Sequence, residues 1–308
     1  MHPPLSSAPN SRLGETEWYS ALLDRLPPWP LSLVSRASTH GLHPTSDGTI
    51  VHSGETHVLV SRCIVGARWL SDDALEEEVA AAYTSVLSEV ARLGRHVVRC
   101  WNFIPGIQDR AGHGLNRYMV FNAGRHRGYR RASGTSDLAV RAIATASGVG
   151  TDGPDLFVAA LGSPSAGVPI ENPRQVPAYR YSSRFGPLPP CFSRATLEAD
   201  AKRLLVGGTS SVRGEDSMHP EAVGAQLDET LVNLDALITE GARLASAAPA
   251  RPAVAGFTHV RVYVVDEGDR SAACDRLVDA GVTCPIETVV ARLCRPELLV
   301  EVEGVVSL

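Results

Sequence analysis

The six cysteines of this 308-residue chain, Cys63, Cys100, Cys191, Cys274, Cys284 and Cys294, include no CxxC pair. That scatter argues against a zinc ribbon and against a disulfide framework, so the thiols read as reduced. No stretch approaches 18 uninterrupted apolar residues, and the opening MHPPLSSAPNSRLGE lacks the basic-then-apolar order of a secretory leader. A cytoplasmic protein without a membrane partner is the expectation. An excess of positive charge is missing too: 29 Lys plus Arg stand against 34 Asp plus Glu, a formal charge of −5, so no basic field draws in nucleic acid. GTSSVRG (208–214) offers hydroxyls without the GxSxG elbow of a serine hydrolase. The HxxH pair of His40 and His43 has no third or fourth ligand nearby, so no metal site is expected.

What the chain does have is 44% hydrophobic residues, enough for one large domain or two ordinary ones with real cores. SDDALEEEVAAAYTSVLSEVARLG, from Ser71, opens with a capping serine and acids and closes at Gly94. It sets Leu75, Val79, Tyr83, Val86 and Val90 at helical spacing, which predicts a helix. The strand-like HVVRCWNFIPG follows it. A second helix-like stretch, QLDETLVNLDALITEGARLA, with Leu227, Leu231, Leu234 and Leu237 on one side, leads to the strand-like HVRVYVVDEGD. Each half then continues with a shorter helix (around Leu115 to Gly124, and Ser271 to Ala280) and a further strand (DLFVAAL, and ELLVEVEGVV), the pattern of two βαβ-type halves. The expected division is a disordered 1–15, an N-terminal domain 16–155 and a C-terminal domain 156–308, with the boundary in GVGTDGPD or the Pro-rich segment up to Pro177. GVGTDG (148–153) has the spacing of a dinucleotide-binding loop, but helix-like LAVRAIATAS precedes it and a strand follows. That order is reversed for the motif, so it reads as a plain loop.

Arginines crowd two places: Arg117, Arg125, Arg127, Arg130 and Arg131 in NRYMVFNAGRHRGYRR, and Arg180, Arg184 and Arg194 in AYRYSSRFGPLPPCFSRA. Guanidinium forks suit carboxylates, and the aromatic residues beside them suit a flat ring; a solvated surface accounts for the same clustering. Near the end, CRPELLVEVEG places Glu301 inside an apolar strand whose alternation turns it from solvent. Such a carboxyl has a raised pKa and suits a general acid, or else it is a strand-edge glutamate paired with an arginine. Cys294 alone reads as a small buried hydrophobe.

Five ordered blocks, WNFIPGIQ (101–108), RYMVFNAGR (117–125), AYRYSSRFGPLPPCFSRA (178–195), GGTSSVRGE (207–215) and CRPELLVEVEG (294–304), resemble the signature blocks of the chorismatase family over roughly residues 95 to 305. The tail from Cys294 is also similar to the small YjgF/RidA proteins. The resemblance implies an α+β fold of two YjgF/RidA-like (chorismate-mutase-like) sheet-and-helix domains, each a mixed β-sheet with helices packed on one side. It places the active site in the second half, on the sheet side, and makes 156–308 the catalytic domain. It implies chorismate as the small-molecule substrate, no cofactor, and a monomer or weak oligomer. Glu301 falls on the catalytic glutamate, Arg125, Tyr179 and Arg194 on the groups that hold the two carboxylates, and Gly207, Gly208 and Thr209 on the substrate loop.

The family divides by product. One branch adds water and yields 3,4-dihydroxycyclohexa-1,5-dienoate. The other rearranges through an epoxide-like intermediate to 3-hydroxybenzoate, and is marked by a cysteine seven residues before the glutamate and a glycine where the first has alanine. Cys294 and Glu301 have that spacing and Gly207 or Gly208 fills the glycine position, so 3-hydroxybenzoate plus pyruvate is implied, with Cys294 against the ring. Arg213 and Glu215 depart from the aliphatic residue and histidine of many relatives. A RidA-like imine deaminase and a small-carboxylate binder are the alternatives.

Overall fold

The structure, a computed structural model, describes residues 17–34, 42–135, 143–198, 200 and 202–308; the stretch 1–15 expected to be disordered, and His40, lie outside the described residues. Two short helices, α1 (Glu17–Leu23) and α2 (Pro28–Val34), precede a meander of β1 (Leu42–Pro44), β2 (Ile50–Ser53) and β3 (Val58–Ile64). There follow α3 (Asp72–Arg92), β4 (His96–Pro105), α4 (Arg117–Ser133), β5 (Thr145–Thr151) and β6 (Leu156–Ser163). The sheet order is β1-β2-β3-β6-β4-β5, with β4 and β5 parallel across the α4 crossover.

The second half repeats the plan. It runs through β7 (Val168–Ile170), β8 (Ala195–Glu198), β9 (Arg203–Ser210), a small hairpin of β10 (Val212–Arg213) and β11 (Asp216–Ser217), then α5 (Val223–Leu244) and β12 (Phe257–Val264). It closes with α6 (Arg270–Asp279), β13 (Ile286–Val290) and β14 (Val300–Ser307). Read from β7, the order is β7-β8-β9-β14-β12-β13, with β12 and β13 parallel, so β6 and β14 occupy the same slot in their sheets. The duplicated βαβ halves expected from the sequence are present as topology.

Helix α3 forms where the stripe predicts it. Ser71 caps it by accepting from the Ala74 amide at 3.4 Å, and Leu75, Val79, Tyr83, Val86 and Val90 are all buried. Helix α4 lies closely on α3 because glycines face it. A Cβ on Gly128 would stand 2.4 Å from Tyr83 Cβ, and one on Gly124 2.5 Å from the Glu76 carbonyl oxygen. That approach sets the depth of Arg125, between the two glycines. Each sheet carries its longer helices, α3 and α4 or α5 and α6, on one face, over separate apolar cores. The opposite faces look toward each other across a shared layer that holds Trp101, Phe157, Leu205 and Tyr263, with Trp18, Leu22 and Trp29 of α1 and α2 packed into it.

Two expectations change. The helix-like LAVRAIATAS ends in strand, because Thr145, Ala146 and Ser147 pair with Arg99, Cys100 and Trp101; GVGT continues that strand, and tertiary pairing outweighs local propensity. Leu156–Ser163, assigned to the second domain by a division at 155, forms β6, paired with β3 and β4 inside the first sheet. We propose the division between Ser163 and Val168. Among the described residues no helix is long and apolar enough to cross a membrane.

Candidate active site

A cavity of about 400 Å³ opens where the two halves meet. Tyr118 and Arg125 reach it from α4, and Ser147 and Gly148 from β5. Tyr181, Phe192 and Arg194 come from the long connection between β7 and β8, Gly208 and Ser210 from β9, and Cys294 and Glu301 from β14 and its approach. The site expected in the second half is therefore shared, since α4 and β5 belong to the first.

Glu301 sits on the inter-sheet face of β14 because its neighbours Val300 and Val302 point into the α5 core. It is 5% exposed, no arginine is ion-paired with it among the described residues, and it accepts a hydrogen bond from the Ser210 hydroxyl at 3.3 Å. Burial, then the neighbouring charge of Glu303, pushes its pKa up to about 7. At neutral pH a large fraction carries a proton facing the cavity, which is the state a general acid needs. Burial, and after it the charge of Glu301, also pushes the Cys294 thiol up to about 12, so Cys294 meets the cavity as a neutral thiol.

Arg125 and Arg194 are 1% and 6% exposed, and neither has an ion pair among the described residues. Arg125 donates to Asn122 Oδ1 at 2.9 Å, and its Nε has no partner. Arg194 donates to the Tyr181 hydroxyl at 2.5 Å and weakly to the Val176 carbonyl at 3.3 Å, and its Nε is likewise unpartnered. Phe192 lies between them, its ring centroid 5.5 Å from the Arg125 guanidinium carbon and 5.0 Å from that of Arg194. Glu171 is close enough to Arg194 for charge to matter, yet both its carboxyl oxygens lack hydrogen-bond partners and its pKa is pushed up to about 7, chiefly by burial. Taking a guanidinium out of water costs several kcal/mol unless an anion compensates it. The cavity thus holds two buried cations whose compensation an acidic ligand would supply.

Of the other clustered arginines, Arg127 and Arg131 follow the surface reading, Arg184 is half exposed at the cavity rim, and Arg117 is buried. Arg127 pairs with Glu76 at 2.8 Å, Arg131 with Glu77 at 2.7 Å and Arg184 with Asp216 at 2.5 Å, while Arg117 caps the carbonyls of Ala67 and Leu70. Arg213 is ion-paired with Glu229, and Glu215 accepts from the amide and hydroxyl of Ser182. These two departures from the family pattern brace the loop from outside and do not line the cavity.

Three further candidates lie off the cavity. Tyr179 belongs to a single 3-10 turn, Ala178–Arg180, and is half-buried beside Arg180; the backbone turns extended at Tyr181, and that phenol enters the site instead. Gly207 and Gly208 together oppose Glu303 at a β-bulge between β9 and β14. At the bulge Gly207 meets the β5 backbone, where an added Cβ would lie 2.7 Å from Thr145 Cγ2 and 3.2 Å from the Ala146 carbonyl oxygen. Gly208 instead faces Glu301. Thr209 pairs with Val302 and so points to the helix side, its hydroxyl donating to the Gly207 carbonyl. Tyr118, Tyr181, Ser147 and Ser210 line the cavity without having been singled out. Tyr118 and Tyr181 lie within the quoted blocks, whereas nothing local to Ser147 marks it.

Residues 37–162 match the family model described as chorismatase FkbO/Hyg5-like, N-terminal. The chain is 31% identical to a 3-hydroxybenzoate synthase of Streptomyces hygroscopicus, over 90% of this chain and 82% of that one. It is 33% identical to a chorismatase of Streptomyces rapamycinicus, over 74% of this chain and 69% of that one. A crystal structure of a chorismatase superposes with a TM-score of 0.75 at 25% identity, covering 86% of this chain and 78% of that one. Arg125, Arg194 and Glu301 fall within the segments 117–125, 178–195 and 294–304 that resemble the family, and by the identity and coverage of these relatives the chain belongs to the chorismatase family.

Proposed function

We propose that this protein converts chorismate to 3-hydroxybenzoate and pyruvate. The observation that carries this reading is the pair of buried guanidiniums, neither ion-paired among the described residues, sharing one cavity with a buried glutamic acid whose raised pKa leaves much of it protonated at neutral pH. Chorismate offers the complement: two carboxylates, a flat ring and an acid-labile enol ether. Arg125 and Arg194 hold the carboxylates with Tyr181 supporting Arg194, and Phe192 and Tyr118 flank the ring.

Glu301 delivers its proton to the terminal methylene carbon of the enolpyruvyl group, which becomes a methyl. The ether oxygen then leaves with the pyruvyl fragment as its new carbonyl. The ring's neighbouring hydroxyl oxygen closes on the vacated carbon to form the epoxide, and its proton returns to the Glu301 carboxylate. Opening of the epoxide toward its other carbon, with protonation of the oxygen and loss of the ring proton from the carbon that keeps it, gives the aromatic phenol. The neutral Cys294 thiol, which lines the cavity, assists that last proton exchange. Atoms balance without water: one chorismate gives one 3-hydroxybenzoate and one pyruvate.

Gly208 supports the rearranging branch over the hydrolysing one, since an alanine Cβ there would lie 1.9 Å from Glu301 Oε1. The test is Glu301→Gln with chorismate followed by calorimetry and by pyruvate release. Retained affinity with turnover lost at least 10³-fold is expected for an acid acting in the transition state. Pyruvate release at the wild-type rate, or loss of binding with it, overturns the assignment.

A further inference from the structure

Beneath the cavity floor lies a second carboxylate with no part in the reaction as written. Glu303 is 1% exposed and takes four donors: Arg99 at 2.7 Å, Trp101 Nε1 at 3.3 Å, the Tyr263 hydroxyl at 3.1 Å, and the Ser147 hydroxyl in a short hydrogen bond. Arg99 is itself 1% exposed, stacks on Trp101 and also donates to Ser147 Oγ at 2.6 Å. Ser147 Oγ in turn accepts from the Gly208 amide at 3.0 Å. Gly208 is the residue against which Glu301 rests. The hydrogen-bonded chain Glu303–Ser147–Gly208 therefore ends under the acid, while Glu303 and Glu301, two apart on β14, share the inter-sheet face.

The fold does not require charge at this layer. Strand β6, in the same slot of the first sheet, sends Phe157, Ala159 and Leu161 into it. A buried ion pair adds little stability over apolar packing, so stability alone is a poor reason for Arg99 and Glu303.

Building on the proposed function, we propose that Glu303, held by Arg99 and linked through Ser147 to Gly208, is a positioning residue that keeps Glu301 in its acid form. The groups facing Glu301 are few. Ser210 donates to it from β9, Tyr263 stands opposite on β12, and the charges of Arg99 on β4 and of Arg194 in the β7–β8 connection act on it. Tyr118 of α4 and Cys294 complete the set, and each carries the charge of Glu301 among its own influences. Among them Glu303 supplies the like charge that opposes ionisation, and Arg99 and Arg194 the charges that favour it.

The experiment titrates Glu301 by carboxyl-carbon NMR, assigned with Glu301→Gln, in wild type, Glu303→Gln and Glu303→Asp, alongside kcat/KM for chorismate between pH 5 and 9. Removing the like charge lowers the Glu301 pKa, so Glu303→Gln titrates about one unit earlier and loses about tenfold in kcat/KM at pH 8, with little change at pH 5. Glu303→Asp keeps the charge and titrates with wild type. If Glu303→Gln does not fold, Arg99→Met/Glu303→Gln, which removes the buried pair without leaving either charge uncompensated, takes its place, and a downward shift of the Glu301 titration is expected of it as well. An unchanged Glu301 titration in the folded variant overturns the proposal. Because the NMR reading needs no substrate, a wild type inert to chorismate would sink the functional reading and leave this one separately tested.

Discussion

Replacing Gly208 with alanine probes the site at its tightest point. The added Cβ would lie 1.9 Å from Glu301 Oε1, 2.5 Å from its Cδ and 3.1 Å from its Cγ, against the 3.4 Å or more of an ordinary contact. All three atoms belong to the Glu301 side chain, so the backbone of β9 stays put and the carboxyl gives way, by about 1.5 Å if the clash is relieved along that line. Misplacement of a reacting group by about 1 Å costs on the order of 10²-fold in rate. Gly208→Ala should therefore lose about 100-fold in 3-hydroxybenzoate formation, with the remaining turnover diverted toward the dihydroxycyclohexadiene acid that the alanine-bearing branch makes. Because Glu301 has, among the described residues, one weak hydrogen bond from the Ser210 hydroxyl to give up, the thermal midpoint should stay within about 4 °C of wild type, a shift of no more than about 1 kcal/mol. Chromatography with mass detection of ring products, with pyruvate measured in parallel, reads both rate and branch. Wild-type rate and product ratio in a folded Gly208→Ala variant would refute the contact between Gly208 and the acid.

Other substitutions separate roles. Arg125→Met removes a buried cation without an ion pair, so the variant should keep or gain stability in denaturant titration while KM for chorismate rises about 100-fold, the loss of a charge-assisted carboxylate contact. Cys294→Ala should leave chorismate binding intact and slow or divert ring-product formation, read by the ratio of 3-hydroxybenzoate to pyruvate falling below one. In wild type, kcat/KM should be level below about pH 7 and fall as pH rises through it, because the active form of Glu301 is the protonated one and its pKa is raised to about 7. The same shift makes folding less favourable as pH climbs from the ordinary 4.5 of a glutamate through about 7. Glu301→Gln should therefore match wild type in stability near pH 4 and exceed it at pH 8, by up to about 3 kcal/mol in urea titration.

Much of this was legible in residue patterns where local physics decides the outcome. The stripe from Leu75 to Val90 gave α3 because apolar residues at helical spacing have one way to be buried. The alternation around Glu301 gave its burial for the same reason on a strand. The misses occur where a non-local partner or a backbone irregularity takes over. Thr145 to Ser147 became strand through pairing with β4, against their own neighbours' helical pattern. Thr209 faces the helices because the bulge at Gly207 and Gly208 resets the alternation on β9. Tyr181 replaces Tyr179 because a 3-10 turn separates two tyrosines that look interchangeable in AYRY. Glu303 repeats the position of Glu301 one pleat later, but its main partner, Arg99, lies 204 residues away, and only the packing of one half on the other unites them.

The most direct test is to mix the wild-type protein with chorismate, without added cofactor, and identify the products by chromatography and mass. Equal amounts of 3-hydroxybenzoate and pyruvate are predicted. Pyruvate accompanied by 3,4-dihydroxycyclohexa-1,5-dienoate would contradict the rearranging mechanism, and chorismate left untouched would contradict the assignment of Glu301, Arg125 and Arg194 to its turnover.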